Sequence, residues 1–262
     1  MSDDIEQQLR RQCFLGARFL WRELREIYGH VSVRLPDNRG FVLMFLRVPE
    51  PSMDPDEVLT FDYEGNKLQG ATPTPYEITL HTEIFRKRPD VNSIVHSHPH
   101  MATALSTAGK TVYAVTQQSK QFGKGVPVFK GDFVTDPGIG IELADCLGNH
   151  SAALMKGHGC VTVGRHVPDA VTTVLYLEQA AKQQIWAASL GTPAELLPKR
   201  IRAHRFPEER AEHNTGTNNL WRQLVWEYEH EEAHAHGHSH EHNHDGWKSY
   251  ADGELGQRNK AG

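Results

Sequence analysis

Between Gly29 and Gly70 the chain reads as three short apolar runs, VSVRL, GFVLMFL and VLTFDYEG, punctuated by turn signals such as Pro36-Asp37-Asn38 and Glu64-Gly65-Asn66. Links this short join antiparallel strands, because a parallel pair needs a crossover of roughly a dozen residues or more. The sheet is therefore expected to be largely antiparallel. No GxGxxG or GxxxxGK[ST] loop occurs, so neither a dinucleotide-binding nor a P-loop fold is indicated.

The flanking segments are helical in pattern. Ile5, Leu9, Cys13, Ala17, Leu20 and Leu24 recur at three- or four-residue spacing, which predicts an amphipathic helix over 5–26. TPTPYEITLHTEIFRKRPD predicts a helix entered at Thr74-Pro75 and stopped before Pro89, followed by a strand, NSIVHSH, and a short helical segment, MATALSTAG. TVYAV and GVPVFKGDFV read as a second β-rich stretch, GIELADCLGNH as a helix, and AALM and CVTVG as strands. The longest helix carries Val171, Val174, Glu178, Ala181, Ile185 and Ala188 on one stripe, with Pro168 near its start and Gly191 just past its end. This order predicts an α/β fold, a three-layer αβα sandwich on a mainly antiparallel central sheet. One domain is expected over 1–206. A helical extension over 207–229 contains Leu220-Trp221 and Leu224-Val225-Trp226, and 230–262 has the composition of a disordered tail.

With 28 Lys and Arg against 33 Asp and Glu, the formal net charge is −5, which argues against a nucleic-acid or anionic-membrane binder and for a small-molecule partner. The N-terminus is charged throughout, without the apolar core of a signal peptide, and no 18-residue apolar run follows, so a cytoplasmic location is expected. Cys13, Cys146 and Cys160 are odd in number and widely spaced, as free thiols would be.

In a strand, alternate side chains share a face, so in VHSHPH His96 and His98 project one way and Ser97 the other. That pair is suited to grip one ion, and His158, between Gly157 and Gly159, is the candidate third ligand. The same residues also fit hydrogen-bonded strand-end histidines and a plain glycine turn. His100 follows Pro99, where the strand phase is lost, and is a candidate substrate contact. Glu77, one helical turn before His81, is the acid/base candidate. Thr74-Pro75-Tyr76-Glu77 also matches a capping box, and on the residues alone the cap is the preferred reading. The seven histidines from His230 to His244 are more numerous but lack a fixed geometry; such a tract either binds Ni, Zn or Co loosely or is inert.

Taken together, GHVSVRL, the E-x-x-x-H of Glu77 and His81, IFRKRPDVNSIVHSH, and GHGCVTVG before a long helix resemble the class II aldolase/adducin family over residues 8–190. The resemblance implies a mainly antiparallel sheet with helices on both faces and a divalent metal (Zn, Mn, Co or Fe) on His96, His98 and His158. It also implies Glu77 as acid/base or fourth ligand, and a homotetramer with active sites between subunits. Sugar-phosphate aldolases of the family bind phosphate through a Ser/Thr-Gly-Asn turn, a Ser/Thr-Gly loop and a Ser-Ser pair. Here those positions carry Tyr28-Gly29-His30, Met44-Phe45-Leu46-Arg47 and Pro75-Tyr76, and Phe45, Leu46 and Tyr76 cannot surround a phosphate with donors. Gln117 and Gln118 stand where the aldolases place a proton-donating tyrosine, with Tyr113 out of register.

The chain is more similar to the decarboxylase branch, which acts on hydroxylated aromatic or ring-opened carboxylates. On that reading Arg47 and Arg34 pair with a substrate carboxylate, Gln117 and His100 contact substrate, and His30 with Glu77 reprotonates carbon, an imidazole titrating near the working pH. The competing readings are a non-haem iron oxygenase of an aryl-pyruvate-like acid, an aldolase of a small hydroxy or oxo substrate, and a non-catalytic scaffold. The presence of His96, His98, His158 and Glu77 together disfavours the scaffold.

Overall fold

The run from Gly29 to Gly70 folds as successive antiparallel pairs: β1 (His30–Arg34) with β2 (Phe41–Phe45), β2 with β3 (Leu59–Phe61), and β3 with β4 (Lys67–Gln69). β4 is one strand more than the pattern predicts. The structure, a computed structural model, describes residues 2–46, 54–131, 133–199 and 215–235. The chain divides into two compact units, 1–221 and 222–262.

The remaining strands are β5 (Ser93–Ser97), β6 (Val128–Phe129), β7 (Ala152–Met155) and β8 (Gly159–Gly164). They complete an eight-stranded sheet of order β4-β3-β2-β1-β5-β8-β7-β6, antiparallel except for β6 and β7. The helices are α1 (Ser2–Leu24), α2 (Ile78–Lys87), α3 (His100–Thr107), α4 (Pro137–Leu147), α5 (Val167–Ser189) and α6 (Thr215–Ala235).

Strand alternation sorts side chains to the two faces. Phe41, Leu43, Ile94, Val161 and Val163 pack with Leu80, Ile84 and Phe85 of α2 and Leu143 and Leu147 of α4. On the opposite face α1 and α5 meet so closely over β1 that a Cβ on Gly16 would lie 3.0 Å from Val171 and 3.3 Å from Val31. The α/β sandwich expectation holds.

Three local expectations are corrected. TVYAV is extended but joins no ladder. Gln184 of α5 instead accepts from the Tyr113 N–H and donates to the Thr111 carbonyl, both at 3.0 Å, so a side chain replaces the missing strand partner. Helix α2 begins at Ile78, later than Thr74-Pro75 suggests. Helix α6 continues past His230, whose ring stacks on Trp226 at 4.0 Å. The tail beyond Ala235 lies outside the described residues, as do residues 207–214 of the expected extension. Among the described residues no helix is long and apolar enough to cross a membrane, and all three cysteines are free.

Glu178 stands on the stripe of α5 for a reason that periodicity does not reveal. Its carboxylate accepts from the N–H groups of Met101 and Ala102 at 2.9 Å, capping α3, which has no capping side chain of its own.

Candidate active site

The site forms where the start of α2, the end of β5 and the β7–β8 hairpin converge. His96 is the fourth residue of β5 and lies opposite His30 in β1 and Val161 in β8. Its phase turns it toward the α2 face, with Ile94. His98 follows one residue after the strand ends, and the two rings sit 4.6 Å apart. His158 lies in the β7–β8 turn, where Gly157 adopts φ +70°, the left-handed region that favours glycine. Its ring is 5.0 Å from that of His96 and 5.1 Å from that of His98.

Gly159 lets this hairpin close. A Cβ there would fall 2.4 Å from the Ser97 carbonyl oxygen and 3.0 Å from the His98 ring. Gly159→Ala is expected to destabilise the fold by about 1–3 kcal/mol through this overpacking. It should also loosen metal retention by shifting His98. Thermal melts paired with metal analysis check both, and native values for both would contradict the close approach.

Glu77 caps nothing. It precedes Ile78 without a side-chain bond to the helix N-terminus. Its Oε1 accepts from the Val134 N–H at 3.3 Å, while Oε2 lies 3.0 Å from His96 Nε2 and 3.6 Å from His158 Nε2. The capping-box reading is thereby corrected, because the carboxylate turns inward to the imidazoles. Burial would raise its pKa, but the adjacent His96 and His158 and the Val134 amide bring it below the ordinary carboxylate value.

Glu77, His96, His98 and His158 each offer a ligand atom, all within 4.8 Å of one another. The fit to a divalent ion rests on the nitrogens. His96 Nδ1 is 3.0 Å from the Cys160 carbonyl, which fixes it as an N–H donor and leaves Nε2 as the ligand atom. Burial would lower the His96 pKa, but the adjacent Glu77 carboxylate raises it, so an ion bound there would displace a proton. That Nε2 is fully buried and makes no well-formed hydrogen bond, even with Glu77 beside it. A buried nitrogen with no well-formed hydrogen bond, grouped with two other imidazoles and a carboxylate, suits a divalent cation. Burial and the neighbouring His96 hold His158 down to about 4, so it presents a neutral nitrogen. Phe133 stacks on its ring at 5.1 Å.

The other anticipated residues are distributed less simply. His30 is buried, with Nδ1 3.4 Å from His81 Nε2, and His81 Nδ1 is 2.8 Å from Ser32 Oγ. Burial and the surrounding histidines push His30 well below the usual imidazole range, which corrects the expectation that it titrates near the working pH. Arg34, at the far end of β1, donates to the Tyr63 hydroxyl at 2.7 Å and to the carbonyls of Phe85 and Val91 at 2.9 and 3.2 Å. Its guanidinium lies over the Phe85 ring. These contacts close the C-terminal end of α2 and leave it no role with a substrate carboxylate; that expectation is corrected. His100 is exposed at the start of α3. Gln117 is exposed in the loop before Ser119. Neither belongs to the metal cluster, and Arg47 lies outside the described residues.

One participant escapes sequence reasoning. After α1, Arg25 adopts φ +56° and the Glu26 N–H returns to the Leu20 carbonyl, a helix stop made here without glycine. This reversal turns the Glu26 side chain inward, where its carboxylate lies 3.2 Å from His98 Nδ1. Burial opposes its charge, yet the hydrogen bonds from His98 and the Tyr28 amide outweigh burial and hold Glu26 well below the usual carboxylate range. The legible hint is weak: an acidic residue just past a helix C-terminus, where the dipole disfavours it, needs another partner.

Residues 17–185 match the model of the class II aldolase and adducin N-terminal domain. A 3,4-dihydroxyphthalate decarboxylase of Arthrobacter keyseri is 28% identical over 211 residues, covering 75% of this chain and 83% of the relative. An L-fuculose phosphate aldolase of Methanocaldococcus jannaschii is 31% identical over 159 residues, covering 59% and 82% respectively. Among solved structures, an aldolase II superfamily protein from Pseudomonas syringae superposes with a TM-score of 0.72 at 24% identity, covering 86% of this chain and 94% of that one. With the domain model spanning most of its length, and with the same sheet-and-helix architecture in the solved structure, the chain belongs to the class II aldolase and adducin family.

Proposed function

We propose that the chain is a divalent-metal-dependent decarboxylase of a non-phosphorylated hydroxylated aromatic or oxo/hydroxy carboxylic acid. Decarboxylases and aldolases are both lyases, and that is the reaction class of this chain. The observation that carries the finer reading is the state of the 27–29 turn beside the cluster. The N–H groups of Ile27 and Tyr28 already donate to Glu26 Oε1, at 2.9 and 3.0 Å. A phosphate dianion placed there would find these two amides taken and a fixed negative charge behind them. The second loop offers no hydroxyl either: Met44 and Leu46 are buried, and Phe45 packs edge-on against His30 at 5.0 Å.

A bound divalent ion would supply Lewis acidity toward substrate oxygens and stabilise the negative charge that develops as CO2 leaves. His96, His98 and His158 would hold that ion as neutral ligands. Glu77 moves the proton, at the oxygen 3.0 Å from His96 Nε2. His30, kept neutral and fixed by the His81–Ser32 chain, orients the substrate and is not the imidazolium acid. Arg47 is assigned to the substrate carboxylate, and Gln117 and His100 to substrate contacts in active sites between the subunits of a homotetramer.

A screen of hydroxylated aromatic acids against sugar phosphates, with CO2 and O2 both monitored, tests the proposal. The expected result is CO2 release from an acid without O2 uptake. Aldol cleavage of a sugar phosphate, or iron-dependent O2 uptake, would sink it.

A further inference from the structure

The carboxylate of Glu26 carries more hydrogen bonds than any cap requires. Oε1 accepts from the Ile27 and Tyr28 amides, Oε2 accepts from the Ser97 hydroxyl at 2.9 Å and from the His98 backbone N–H, and both oxygens lie 3.2 Å from His98 Nδ1. It is 5% exposed. A charged side chain is buried this completely only when every lone pair is used, and here the partners belong to two separate parts of the site.

We infer that Glu26 is a positioning residue: it fixes the orientation and tautomer of His98 and, with the same carboxylate, sets the shape of the 27–29 turn. The inference rests on reading the histidine cluster as a metal site. With Nδ1–H donated to Glu26, His98 has only Nε2 free for an ion, and its ring cannot flip without breaking that bond. The Ser97 hydroxyl, directed away from the His96 face as strand alternation requires, donates to the same Oε2 that the His98 amide reaches. Gly29 belongs to the same arrangement, since a Cβ there would fall 2.8 Å from the Glu26 side chain and 2.9 Å from the His96 carbonyl oxygen.

The test uses the full-length chain with the seven histidines from His230 to His244 changed to asparagine, so that the tail does not compete for the probe. Co(II) is the probe, its affinity read by chelator competition and its coordination by the visible spectrum. Glu26→Ala is expected to weaken Co(II) binding about 10–100-fold and to alter the spectrum. Glu26→Gln should fall between Ala and wild type, because its amide oxygen still accepts from His98 while its NH2 opposes another donor. At saturating Co(II) both variants should raise KM more than they lower kcat, through the released 27–29 turn. Unchanged Co(II) affinity and spectrum in a folded Glu26→Ala protein would overturn the inference, and if that variant does not fold, an unchanged Glu26→Gln decides the same way. His98→Ala separates the two readings. If it too keeps its Co(II), the metal site itself is wrong; if it loses Co(II) while the Glu26 variants keep it, only the role of Glu26 fails.

Discussion

Replacing His96 with alanine in the same tail-substituted full-length chain is expected to remove the bound metal and lower turnover by about 10²–10³-fold, the scale on which losing one electrostatic stabiliser acts at a transition state. His96 is completely buried, its Nδ1 is committed to the Cys160 carbonyl, and its Nε2 has no protein hydrogen bond to lose. The substitution also strands the Glu77 carboxylate 3.0 Å from an empty space, so some loss of stability accompanies it. His158→Ala is the control for that effect. His158 sits in a turn and is partly exposed, so its removal should release the metal with little change in melting temperature. Metal analysis and circular dichroism read both variants. Retention of full metal by folded His96→Ala protein would remove the basis of the site.

The second large effect is expected from Glu77→Gln. The amide matches the carboxylate in size and can still accept from the Val134 N–H, so the fold should be kept. What it cannot do is take up and return a proton. A fall of about 10²–10⁴-fold in kcat is expected, the usual contribution of a positioned acid or base. Most of the metal should remain, since three imidazoles are enough to hold a catalytic ion. A helix cap would behave differently, for glutamine serves a capping box as well as glutamate does, and kcat would be unchanged. Steady-state kinetics beside metal content therefore separate the two roles.

Much of the architecture could be read from the chain because it depends on local physics. Short turn-rich links force antiparallel pairing, and the stripes of α1 and α5 state which face is buried. The histidine pair was legible for a related reason: strand phase places His96 and His98 together and sends Ser97 toward Glu26. What could not be read depends on tertiary choice. Glu77 satisfies a capping pattern perfectly well on paper, and only the position of β5 draws its carboxylate away from the helix end. Arg34 looks like a free cation until Tyr63, Phe85 and Val91, distant in sequence, absorb its donors. TVYAV has β propensity but sits where Gln184 takes the place of a strand neighbour. Glu26 was invisible because its value arises from a left-handed residue at Arg25, which no glycine announces.

The sheet order has a consequence for the time course of folding. β1–β2 and β7–β8 are hairpins between near neighbours, whereas the pairs that join the two halves, His30 with His96 and Ser97 with Cys160, link residues more than sixty positions apart. Loop closure makes such pairings the slow steps. His98 and His158 meet only once β8 has zipped onto β5, so the coordination geometry does not exist in any early intermediate. During refolding in limiting metal, the ion should therefore reach its final ligands last, and its arrival would report that the central strands have closed.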